Sequence, residues 1–251
     1  MVNDHTFRSG EGRKSSSIDE DIEKRSVLLK NVPLFQELGG DERYSLAEVS
    51  MVRKVPEHAT ILLADEEGDT LFVIVTGRVK VTVMSEDGRE VILSILKERD
   101  FFGEMSLLDG KPRSASVIAT EKTELIMLRR VDFLSRLERY SQMASQMLST
   151  LATRLRRTNR QVESLALLNV YGRIAETLLQ LADDQGVTEE RGIVIPERPI
   201  HQEIANMAGT TRETVSRVLN DLERRGYIQS DGREIVILIP DRLRDDFVHP
   251  T

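Results

Sequence analysis

Phe101-Phe102-Gly103-Glu104-Met105-Ser106-Leu107-Leu108-Asp109-Gly110-Lys111-Pro112-Arg113-Ser114-Ala115 gathers, in fifteen residues, the groups that hold a small anion. Gly103 has no Cβ and lets backbone come close to a ligand. Residues 104–108 predict a helical turn whose free N–H groups and positive dipole end favour negative charge. Arg113 presents a planar fork that matches phosphate oxygens, and Ser114 adds a hydroxyl donor. Glu104 repels a phosphate but accepts a hydrogen bond from a sugar hydroxyl. One carboxylate with one guanidinium suits a nucleotide carrying a ribose and a single phosphate. A plainer reading of the same residues is a structural ion pair, Glu104 with Arg113, beside a turn glycine.

The flanks of this stretch read as strands. Val79, Val81 and Val83 alternate with Lys80 and Thr82, and Val91, Leu93 and Ile95 resume the alternation after the turn Glu86-Asp87-Gly88-Arg89. Val117, Ala119, Leu125 and Met127 extend the pattern. Short strands punctuated by Gly and Asp turns over about residues 60–130 predict an antiparallel roll.

As an ordered string, residues 101–115 resemble the phosphate-binding cassette of the cyclic-nucleotide-binding domain found in the CRP/FNR regulators. The resemblance implies that Glu104 holds the ribose 2′-hydroxyl and that Arg113 and Ser114 hold the cyclic phosphate. Backbone groups at Gly103 and Met105 complete that cradle, with Ser94 and Val81 nearer the pocket wall.

Downstream the texture changes. Residues 132–168 contain neither Pro nor Gly, and Ala144, Leu148, Leu151, Leu155, Val162 and Leu165 recur by fours and threes. That spacing predicts one long helix with an apolar seam, and pairing with a second copy is the economical use of it. Thr158 is a polar residue within the seam, with Asn159 beside it. Such a residue either fixes register or touches a ligand. In members of the resembled family that bind cyclic AMP, this place reaches the adenine, partly from the opposite subunit.

The last third alternates short helices and strands. Asn169 predicts an N-cap for a helix through Ile174, Leu178, Leu179 and Leu181 that ends near Gly186, and a single strand follows over 192–196. Gln202-Glu203-Ile204-Ala205-Asn206-Met207-Ala208-Gly209-Thr210-Thr211-Arg212-Glu213-Thr214-Val215-Ser216-Arg217-Val218-Leu219 has the form of a helix-turn-helix. Ala205 lets two helices approach, Gly209 makes the turn, and Ile204, Val215 and Val218 share one core face. Tyr227-Ile228-Gln229, an Asp231-Gly232 turn and the run Ile235–Ile239 predict a hairpin wing. Arg212, Glu213 and Arg217 lie off the apolar face, where arginine reads guanine and glutamate reads cytosine in the major groove. Thr210-Thr211-Arg212-Glu213 also fits a capping box in which the glutamate only returns to the helix start. Arg212-Glu213-Thr214-Val215-Ser216-Arg217 resembles the recognition helix of the same family. This implies half-sites like TGTGA in an inverted repeat, with Thr211 and Thr214 on phosphates.

Bulk charge does not carry the DNA reading. The chain has 35 basic and 42 acidic side chains, a net −7, and residues 200–235 hold five arginines against six acids. Placement of individual side chains has to do it. Cysteine is absent, which excludes disulfides, thiolate-held clusters and a thiol nucleophile. The four histidines (His5, His58, His201, His249) form no metal-ligand or nucleophile–base pattern, so no enzyme is expected; His58 is the least poor axial ligand for a haem sensor on this scaffold. No apolar run approaches the roughly 20 residues of a membrane span.

The expectation is therefore an α+β chain. A flexible tail (1–25) precedes a cyclic-nucleotide-binding antiparallel β-roll (26–131), a dimerisation helix (132–168), and a winged helix-turn-helix domain (169–251) hinged near Leu168-Asn169-Val170. What the resemblance implies is a cytoplasmic homodimeric transcription regulator that takes cAMP, binds double-stranded DNA and contacts RNA polymerase, with no metal and no membrane. The same fold acting as a constitutive DNA binder, or sensing another ligand such as cyclic di-GMP, is the alternative.

Overall fold

The computed structural model describes residues 11–232 and 234–248, the side chains from residue 18 onward. The chain forms two units, one running to Val81 and from Ile95 to Leu151, the other comprising Thr82–Ser94 and everything from Ala152. Among the described residues no helix is long and apolar enough to cross a membrane.

The first unit opens with α1 (Glu11–Lys30), a 3-10 turn (Pro33–Phe35) and α2 (Gly40–Val49). The expected flexible tail is thus helical from Glu11, and residues 1–10 lie outside the described residues. Ile22 and Leu29, seven apart, fall on one helix face and are buried, while Arg25 Nη1 between them donates to Ser50 O at 2.9 Å. The glycines and serines before Ile18 conceal this face in the sequence.

Eight strands follow: β1 (Met51–Val55), β2 (Thr60–Leu62), β3 (Thr70–Thr76), β4 (Val79–Met84), β5 (Glu90–Leu96), β6 (Phe101–Phe102), β7 (Ser116–Ala119) and β8 (Thr123–Arg129), with the short α3 (Glu104–Asp109) after β6. They form two four-stranded sheets, β1-β8-β3-β6 and β2-β7-β4-β5, which make up the antiparallel roll. Alternation puts Phe72, Ile74, Val79, Phe102, Val117 and Leu125 into one core cluster and Leu71, Val73, Ile126 and Leu128 into another. The turn between β4 and β5 closes with Gly88 at φ 80°, the conformation that the Asp-Gly pair favours.

The predicted single helix over 132–168 is instead two, α4 (Arg130–Arg139) and α5 (Ser141–Leu167). Tyr140 separates them in extended geometry, φ −114° and ψ 97°. Its N–H closes α4 on Arg136 O, and its carbonyl accepts from Met143 N at 3.0 Å to start α5. Phe133 of α4 and Met143 and Met147 of α5, on either side of the break, all enter the same core. Beyond that anchor, Leu148, Leu155 and Val162 of the apolar seam are exposed at 67%, 61% and 61%, so the stripe faces outward for most of its length.

In the second unit, Asn169 caps α6 (Val170–Gln185), its side chain accepting from Gly172 N at 3.1 Å. The expected lone strand has a partner: β9 (Val187–Glu189) pairs with β10 (Gly192–Ile195). After α7 (His201–Ala208) and α8 (Arg212–Arg224), the wing β11 (Ile228–Asp231) and β12 (Glu234–Ile237) extends the sheet to β11-β12-β10-β9, and α9 (Pro240–Phe247) ends the fold. Ile174, Leu178, Ile204, Ala205, Val215, Val218 and Ile237 fill this unit's core. The tip of the β4–β5 hairpin belongs here as well. Glu90 accepts from Asn206 Nδ2 at 2.7 Å and Ile92 O from Gln161 Nε2 at 3.3 Å.

Candidate functional site

The cassette of the first unit is set by its neighbours. Phe102 pairs with Phe72 across β6 and β3, their rings stacked at 5.1 Å, and this delivers the chain to Gly103. Gly103 has φ 81°, left-handed, and caps α3. A Cβ there would lie 2.8 Å from Arg113 Nη1 and 3.0 Å from Thr70 O, so both space and conformation demand glycine. Leu107 on α3 is fully buried, and Arg130 Nε holds its carbonyl at 2.9 Å.

Arg113 is the centre of the arrangement. Its backbone is clamped to the loop before β3, donating to Glu66 O at 2.8 Å and accepting from Asp65 N at 2.9 Å. Nη1 donates to Gly103 O (2.7 Å) and Ser106 Oγ (3.1 Å), and Nη2 to Thr70 O (2.9 Å). The side chain is 4% exposed, yet its Nε–H has no partner among the described residues. Burial lowers the guanidinium's pKa, while the carboxylates of Asp69 and Glu104 oppose that shift. A buried cation with a spare donor calls for an acceptor. The residues fit an anionic ligand. Gly68 belongs to the same construction, because a Cβ on it would overlap the guanidinium.

Glu104 is buried within the cassette, and Met105 and Ser114 are exposed beside it with Ser114 Oγ 3.5 Å from Met105 Sδ. Gly103, Glu104, Met105, Arg113 and Ser114 are thus brought together. Ser106, Thr70, Gly68 and Arg130 complete the setting and were missed by sequence reasoning. Ser106 lies inside the quoted string, where a buried polar position on a short helix is its only signal; the other three are assembled by the fold alone. Ser94 on β5 and Thr158 and Asn159 on α5 belong to the second unit. Ser94 is half-buried, and both α5 residues are exposed, with Thr158 Oγ1 donating to Arg154 O at 3.1 Å.

The second unit carries the helix-turn-helix. Gly209, at φ 61°, ends α7 and makes the turn. Thr211 then caps α8: its hydroxyl oxygen accepts from Thr214 N at 3.3 Å and lies 3.1 Å from Thr214 Oγ1. This rules out the capping-box role for Glu213. With Thr211 as the cap, the third helical position is Thr214, so Glu213 is not the returning residue of a capping box and its side chain is exposed. Arg212, Glu213 and Arg217 line a cavity of about 790 Å³ with His201, Ser216, Asn220, Asp221, Arg224 and Tyr171. His201 is another member that sequence reasoning had left among scattered histidines. His58, the haem candidate, is an exposed residue 3.4 Å from Glu57, and no cluster of three metal-ligating side chains occurs among the described residues.

Known proteins share both halves. The family of the cyclic nucleotide-binding domain matches residues 52–140, and that of the Crp-like helix-turn-helix domain matches residues 172–246. A CRP-like cAMP-activated global transcriptional regulator of Mycobacterium tuberculosis is 35% identical over 75% of this chain and 84% of its own length. The cAMP-activated global transcriptional regulator CRP of Pasteurella multocida is 38% identical over 74% of this chain and 89% of its own. Among solved structures, the c-di-GMP-responsive global regulator CLP of Xanthomonas campestris has a TM-score of 0.63 at 25% identity, covering 75% of this chain and 94% of that one.

Proposed function

The chain belongs to the CRP/FNR family of cyclic-nucleotide-binding, DNA-binding transcription regulators, which are not enzymes, and from that premise we propose that it is a homodimer switched by cAMP. The observation that carries the ligand reading is Arg113, buried at 4% exposure with an unpartnered Nε inside a cassette that also holds a carboxylate and a hydroxyl. Arg113 and Ser114 take the cyclic phosphate, backbone at Gly103 and Met105 supports it, and Glu104 takes the ribose 2′-hydroxyl. Ser94 lies toward the pocket wall, and Thr158 and Asn159 contact the adenine. The cAMP-activated regulators that share 35–38% identity support this choice of messenger.

The outward stripe of Leu148, Leu155 and Val162 supports self-association along α5. In the dimer, two copies of α8 face an inverted repeat. Arg212, Glu213 and Arg217 read base edges of TGTGA-like half-sites, while Thr211 and Thr214 approach phosphates. The roll, the long helix and the winged domain are the functional divisions of the chain, which works in the cytoplasm and recruits RNA polymerase once on DNA. Ligand biases the DNA-binding half toward its competent state in proportion to its differential affinity for the two states.

Calorimetric titration with cAMP, cGMP and cyclic di-GMP side by side tests the reading. The expected result is a single tight isotherm with cAMP, one site per subunit. Binding of cyclic di-GMP alone replaces the messenger, and binding of none, with DNA affinity equal in its presence and absence, removes the switch.

A further inference from the structure

His201 is the first residue of α7 and is half-buried in the wall of the cavity that the recognition helix α8 lines. The charged and titratable groups of that cavity are Arg212, Glu213, Arg217, Asp221 and Arg224 of α8 and Tyr171 of α6. Arg198, in the segment leading into α7, also acts on the imidazole, and on α7 itself Glu203 is committed to the N–H of Ile200 at 3.1 Å. Asp221 is committed as well, bonded to Arg224 and 2.9 Å from Arg225. Burial first, then Arg198 and Arg212, hold the imidazole pKa below its ordinary value, so the free chain carries His201 neutral at neutral pH.

A DNA phosphate changes that balance. It offsets the arginine charges, and it accepts from an imidazolium N–H but gains less from a neutral ring. Resting on the reading of α8 as the DNA-reading helix, we propose that His201 is a phosphate-binding residue of the DNA interface that takes up a proton when the duplex docks. DNA affinity then rises as pH falls through the pKa of the complex, and levels off below that of the free protein. The sign follows from linkage: the complex binds more protons than the separated partners, so added protons favour the complex. Since phosphates are the same in every sequence, the effect is independent of the bases.

The test uses the full chain with cAMP and two labelled 30-base-pair duplexes, one with TGTGA half-sites in inverted repeat and one scrambled. Fluorescence anisotropy at constant ionic strength follows the dissociation constant from pH 8 to pH 6. With one proton taken up per subunit, and so two per docked dimer, over part of that window, affinity for both duplexes tightens by roughly a hundredfold. In His201→Gln the profile flattens to less than about twofold, and in His201→Arg it is flat at the tight, acidic-limit level, because the guanidinium stays charged throughout. A slope in His201→Gln equal to the parent's, or weakened binding by His201→Arg, overturns the proposal. Failure of every variant to bind either duplex at any pH overturns instead the DNA reading on which it rests.

Discussion

Replacing Gly103 by alanine tests the cassette where conformation and charge meet. At φ 81° an alanine pays the left-handed penalty, about 1 kcal/mol. Its Cβ also presses on Arg113 Nη1 at 2.8 Å and Thr70 O at 3.0 Å. Thr70 is locked in β3, so the guanidinium is the partner that gives. It then loses the 2.7 Å bond to Gly103 O, and a hydrogen bond from a charged donor is worth about 1.5–3 kcal/mol. The combined loss is about 3 kcal/mol, which lowers the melting temperature of a domain this size by roughly 6–12 °C. Differential scanning calorimetry reads the stability, and isothermal titration with cAMP reads the site, where affinity falls by at least about tenfold because Arg113 no longer meets the phosphate in place. Melting within a degree or two of the parent, together with parental cAMP affinity, refutes the described coupling of Gly103 to Arg113.

Other changes probe the remaining elements. Leu155→Glu places a charge in the outward stripe of α5 and converts dimer to monomer at micromolar concentration by sedimentation velocity; an unchanged dimer assigns self-association to another surface. Thr211→Ala removes the cap of α8 and costs about 1 kcal/mol in urea unfolding. A negligible change means that the cap hydrogen bond at 3.3 Å contributes nothing. Arg212→Ala relaxes the preference for one base pair by about 1–3 kcal/mol in a competition assay across half-site variants. Uniform weakening over all sequences would make it a phosphate contact instead.

Much of this was written locally in the chain. The strands over 79–96, the Asp-Gly turn at 87–88, the Asn169 cap and the helix-turn-helix core of Ile204, Val215 and Val218 are short-range signals, and the structure contains each of them. The alternation pointed to the wrong face, however: Ile92 and Leu96 are buried on β5 while Leu93 is exposed, and on β4 Thr82 is buried beside Val79. The cassette residues were legible because they form one contiguous string. The acceptors that fix Arg113 were not: Thr70 O lies 43 residues away, and only sheet pairing brings it to the guanidinium. The interruption at Tyr140 was equally hidden, because neither proline nor glycine marks it and the two flanking segments are both good helices. Phe133 and Met143, on either side of it, both join the core of the first unit. Helix α1 was missed for the opposite reason, since a polar composition masked two buried positions.

The three fixed acceptors around Arg113 have one more consequence. A free arginine side chain carries about 2 kcal/mol of rotamer entropy. Here that freedom is already surrendered when the roll folds, before any messenger arrives. Association therefore meets a rigid, waiting fork and gives up little further side-chain entropy. Loosening any of Thr70, Gly103 or Ser106 would move the cost into the binding step, where it appears as an unfavourable entropy change, not as a missing contact.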